Sequence, residues 1–105
     1  KTLIIMKLIQ ANPKQDSEQT ILSALNAKER LLRGKATSFS KSGRNKWVHV
    51  KFNGWVTVTN APENILFAKV QSKSVDTEAK IFEAFIGYLT RHCGKLIDSL
   101  TIYYR

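Results

Sequence analysis

Cysteine is almost missing from this chain: Cys93 is the only one. A single thiol excludes an intrachain disulfide framework and a cysteine-based zinc knuckle. Two prolines and five glycines in 105 residues exclude collagen-like and low-complexity classes. No apolar run approaches the ~18 residues that a membrane-crossing helix needs. The sequence also lacks a glycine-rich nucleotide loop, zinc-finger spacing, a helix–turn–helix pair and a stacked-aromatic RNA-binding signature. Nothing in it calls for a cofactor or a metal. Thr2–Ile9 is mostly apolar, but it is short, carries Lys7 and precedes no small-residue cleavage site. It reads as a strand and not as a secretory leader, which gives a cytoplasmic expectation.

Hydrophobic residues make up 43% of the chain and charged residues 24%, ordinary fractions for one globular domain over residues 1–105. A chain of this length buries roughly two-thirds of its unfolded surface, so it needs no staple. The order of elements follows from periodicity. After the first strand, Asn12-Pro13 reads as a stop. Asp16 stands three before Gln19, a capping-box spacing, and Ile21, Leu22, Leu25 and Leu32 share one face of a helix over Ser17–Arg33. Gly34 follows as its stop. Ala36–Ser40 is a weak strand, followed by a loop at Ser42–Asn45. Lys46–Phe52 and Trp55–Thr59 flank Asn53-Gly54, which predicts a hairpin with a two-residue turn. Ile65–Gln71 is another strand. Asp76 caps a second helix over Thr77–Cys93, with Ile81, Phe82, Phe85, Ile86, Leu89 and Cys93 on one stripe. Ile97–Tyr104 alternates as a last strand. The expected fold is α+β, a two-layer sandwich with two helices on one face of an antiparallel-rich sheet of five or six strands, in the order β-α-β-β-β-β-α-β. The two-residue turn pairs Phe52 with Trp55 and His49 with Val58, so that Val48, Val50, Phe52, Trp55, Thr57 and Thr59 share one face, and Trp47, His49, Lys51, Val56 and Val58 the other. Neither face is cleanly polar, so the face away from the helices is expected to meet a partner.

Basic residues outnumber acidic ones, 17 to 8, for a net charge of +9. They are not spread evenly. Lys28, Arg30, Arg33, Lys35, Lys41, Arg44, Lys46 and Lys51 fall in one 24-residue stretch with a single acid, Glu29, a local excess of +7. The rest of the chain contributes only +2. Phe39, Trp47 and His49 are interleaved with these cations. Cations replace counterions on phosphates, and ring faces stack on unpaired bases. The first functional reading is therefore a small non-enzymatic module that engages nucleic acid or another polyanion through residues 28–51. Arg30, Arg33, Lys35, Lys41, Arg44 and Lys46 would serve phosphates, Trp47 stacking, and His49 a phosphate. The competing readings are a solvated basic face, core packing for Trp47, and a subunit that docks an acidic protein. A third is a metal-independent ribonuclease with His49 as base and Arg or Lys as the transition-state clamp.

Other residues invite chemistry less strongly. Cys93 follows His92, yet it lies on the apolar stripe, where a free cysteine acts as a small hydrophobe. Glu29 enters the edge of its helix's stripe, with Arg33 four residues on as an ordinary partner. Gly87 sits mid-helix at a cost of ~1 kcal/mol relative to alanine. With Ala84 it would form a small outer patch suited to a symmetric homodimer contact.

Overall fold

Thr20 and Ser74 decide where the two helices begin. The Thr20 hydroxyl accepts from the Ser23 amide at 3.0 Å, and Ser74 accepts from Thr77 at 3.4 Å. Each satisfies one amide that the first helical turn leaves without a partner. The helices are α1, Ile21–Leu32, and α2, Val75–Cys93. Both caps differ from the sequence expectation. Asp76 lies inside the first turn of α2, where a carboxylate complements the helix dipole. The proposed cap of the first helix at Asp16 lies outside the described residues. The computed structural model describes residues 5–15, 18–35 and 37–104.

The strands are β1 Ile5–Pro13, β2 Phe39–Gly43, β3 Lys46–His49, β4 Trp55–Asn60, β5 Leu66–Ser72 and β6 Ile97–Tyr104. They form one antiparallel sheet in the order β2-β3-β4-β5-β1-β6. With two helices packed on it, the sheet makes the α+β sandwich that the patterning implies, in the same element order. The overall dimensions of 45 × 32 × 21 Å fit one sheet and one helical layer. Neither helix is long and apolar enough to cross a membrane.

The core lies between the layers. Ile9, Ala11, Phe39, Trp47, Val56, Val58, Leu66, Ala68 and Val70 are buried from the sheet, in strict alternation along each strand. Ile21, Leu25, Ile81, Phe85, Leu89 and Cys93 meet them from the helices. The stripe on α2 is as expected and wider, because Glu78 and Tyr88 are buried too.

The two-residue turn falls in a different place from the one Asn53-Gly54 suggests. Arg44-Asn45 joins β2 to β3 tightly, with Asn45 at φ 58°. β3 ends at His49, and a five-residue loop leads to Trp55. Phe52 therefore does not pair with Trp55; Val48 does, and Trp47 pairs with Val56. The cause is His49. Its Nδ1 accepts from the amides of Lys51 at 3.0 Å and Phe52 at 3.3 Å, which fixes them in the loop and away from a ladder. The slip relative to the expected register is an even number of residues, so the residues that stay in β3 and β4 keep their faces; Phe52, expected beside Trp55, instead packs on the helix side against His49 and beneath Lys80. β1 also runs one residue past Asn12. Pro13 sits at a register shift against β6, where no amide is required of it.

Gly54 serves close approach instead of a turn. Its φ is +155°, and a Cβ there would stand 2.5 Å from Ile81 Cδ1 and 2.6 Å from the Gln71 carbonyl oxygen. Gly54→Ala is expected to lose about 1–3 kcal/mol from backbone strain alone, with the clash adding to it. Urea denaturation checks this, and an unchanged midpoint would refute it.

Candidate nucleic-acid interface

β2 is an edge strand, and the carboxyl end of α1 packs beside it. Most of the basic segment is thereby gathered at one end of the molecule. Arg30 and Lys35 project from the end of α1, and Arg44 from the β2–β3 turn; all three are exposed. Arg33 is exposed as well but is held by Glu29, with Nη2 donating to Oε1 at 2.6 Å. The Arg33 hydrogen bond outweighs burial and keeps the Glu29 carboxyl below its usual range. Glu29 is therefore an ion-pair partner, as the four-residue spacing indicates. Lys41 lies on the helix side, where Nζ donates to Asn26 Oδ1 at 2.8 Å. Lys46 projects from the opposite face, over the Trp55 ring at 5.2 Å from its centroid.

Trp47 is placed where it cannot stack on a base. It is 0% exposed, with the rest of the core around it. Alternation from the buried Val56 and Val58 puts it on the helix side, and its Nε1 has no hydrogen-bond partner within 3.5 Å among the described residues. His49 is on the same side, between the rings of Phe39 and Phe52 at 5.0 and 4.8 Å. Burial, then the Lys51 charge, holds its imidazole below the usual range. That suits a neutral ring whose Nδ1 accepts two amides, and no carboxylate orients it. Its visible role is to shape the Val50–Gly54 loop.

Cys93 is 2% exposed, and burial pushes its thiol up to about 11, so it is a core residue. His92 beside it packs edge-on against Tyr88 at 4.7 Å. Ala84 is partly buried against the core, while Gly87 faces open space.

The sheet face away from the helices carries what Trp47 does not supply. The pairings place Lys46, Thr57, Lys69, Leu8 and Tyr103 in one row across five strands. Trp55 stands in the row on one side and Phe67 in the row on the other, about 13 Å apart along the strands. Trp55 Nε1 donates to Gln71 Oε1 at 3.0 Å, and the Tyr103 hydroxyl donates to Gln10 Oε1 at 3.1 Å. No acidic residue stands in these rows. Sequence reasoning missed this platform. Its signal was the alternation of Trp55, Thr57, Thr59 and of Phe67, Lys69, Gln71, which looks ordinary until the strand order brings the runs together.

Comparison of the chain with protein-family models, with curated proteins and with solved structures finds no match.

Proposed function

We propose that this protein is a single-stranded nucleic-acid-binding module. The open sheet face stacks bases on Trp55, Phe67 and Tyr103, and the basic end bearing Arg30, Lys35, Arg44 and Lys46 holds phosphates. The observation that carries this reading is continuity: Lys46 belongs both to the basic segment and to the aromatic rows of an acid-free face. Stacking platforms tolerate any base, and flanking cations supply affinity, so the reading implies weak sequence preference and strong salt dependence. Unpaired bases can lie flat on such a face, whereas a duplex hides its bases from it. A cytoplasmic location and a symmetric dimer through the outer face of α2 at Gly87 belong to the same proposal.

Fluorescence anisotropy with labelled single-stranded RNA, single-stranded DNA and duplex DNA at two salt concentrations tests it. Single strands should bind more tightly than duplex. Trp55→Ala or Phe67→Ala should weaken binding about 5- to 150-fold, the span of ~1–3 kcal/mol per stacked base. Lys35→Ala with Arg44→Ala should lower the salt slope by about 0.7 for each phosphate left without its cation, with an unchanged melting temperature. Equal binding of all three probes that vanishes with salt would defeat the reading and leave the charge as a solvated face.

A further inference from the structure

A groove of about 820 Å³ runs between α1 and the carboxyl end of α2, as far as Leu96 just before β6. Its floor is apolar, made in part by Ala24, Ala27 and Leu96, and its rim carries Lys28, Arg91 and Lys95. Leu31 stands on the same rim at 65% exposure, a large apolar side chain with nothing over it. No acidic side chain among the described residues lines the groove. The cations converge: burial first, then the charges of Arg91 and Lys28, holds the His92 imidazole below its usual range.

We propose that this groove docks an acidic amphipathic helix of a protein partner. The proposal is independent of the nucleic-acid reading, whose stacking platform of Trp55, Phe67 and Tyr103 lies on the sheet face away from the helices. Charge selects the occupant. The groove follows α1 from Ala24 to Leu31, a span of about 10 Å that matches two turns of a docked helix. Leu or Ile at i, i+3, i+4 and i+7 would cover Leu31 and the alanines, and Glu or Asp at the flanks would meet Lys28, Arg91 and Lys95. A second copy of this chain is a poor complement, since it has only 8 acids and two of them, Glu29 and Glu78, are buried against Arg33 and Lys7. Nucleic acid would find phosphate partners here but only one ring for its bases, the half-buried His92, which is packed edge-on against Tyr88. A small ligand would stay largely wet in a trough this long, whereas small-molecule sites enclose most of their ligand.

The test uses the full chain and two fluorescein-labelled 18-residue peptides of identical Leu, Glu and Ala composition. One has leucines at helical spacing; the other is scrambled so that no apolar stripe forms. The amphipathic peptide should bind at least tenfold more tightly than the scrambled one. Leu31→Ser should reduce that preference at least fivefold, and Lys28→Glu with Arg91→Glu should reduce affinity at least tenfold. All three sites are exposed, and circular dichroism confirms that the variants fold. Phe67→Ala should leave peptide affinity unchanged. Equal binding of the two peptides would overturn the proposal, as would a loss of peptide affinity in Phe67→Ala. Amide shifts in a nuclear magnetic resonance titration that map to the sheet face instead of α1 and α2 would overturn it as well.

Discussion

Lys7→Met should remove about 3–5 kcal/mol of stability, a large share of what a domain of this size has. Lys7 and Glu78 form an ion pair between β1 and α2. The two ends of the pair are unequal. Glu78 is 0% exposed and its Oε2 has no hydrogen-bond partner among the described residues, while the Lys7 side chain keeps 19% of its surface in contact with solvent. Lys7 Nζ also lies 5.5 Å from the Phe82 ring centroid and 5.8 Å from that of Tyr104. Removing the lysine therefore strands a carboxylate with no route to water. Removing the glutamate leaves an ammonium that can reach solvent along its own stem and keeps two ring faces. Glu78→Leu should accordingly cost less than Lys7→Met, and the double variant should recover most of the loss. Urea denaturation of the three variants checks the order. Equal single-variant costs that simply add in the double variant would show that the pair contributes nothing beyond its separate side chains.

Trp47→Ala should cost about 3–5 kcal/mol by leaving a cavity under both helices, and should lower the melting temperature by at least ~12 °C. The folded fraction should bind single-stranded RNA as the parent does. Trp55→Ala should do the reverse, with a small change in melting temperature and a large loss of affinity. Trp47→Phe should cost less than Trp47→Ala, since it keeps most of the packing. Thermal denaturation and anisotropy on the same preparations separate the two tryptophans. A binding loss in folded Trp47→Ala, with Trp55→Ala unaffected, would return the stacking role to the basic segment itself.

These two tryptophans show how far the sequence can be read. Helical periodicity locates both helices because the apolar stripes of Ile21–Leu32 and Ile81–Cys93 repeat for three turns or more. Strand alternation assigns Trp47 and Trp55 to opposite faces, and that holds in the hairpin's different register because the slip is even. The turn itself is misleading, since Asn53-Gly54 carries the usual hairpin signal while the decisive contact is the His49 ring with two amides, invisible in a linear pattern. Which face the helices cover is equally invisible. It depends on β1 inserting between β5 and β6, and on Gly54 admitting Ile81. Local charge density identifies a basic end, but the aromatic rows come from strands up to 95 residues apart, joined only by the topology.

The strand order has a consequence for how the chain is made. β1 is synthesised first, yet its partners β5 and β6 are the last two strands; Ile9 waits for Ala68 and then for Ile102. At a synthesis rate of roughly 5–20 residues per second, the first strand spends several seconds outside the ribosome with no edge to join. Pairings this distant along the chain also close large loops, which slows folding. β2, β3 and β4 can form a meander in that interval, but β1 has a partner on both sides only when β6 emerges. Any nascent chain stopped before Ile97 holds β1 with one edge bare, an apolar template for another chain. Chaperone demand is therefore highest in the interval between the synthesis of β1 and that of β6.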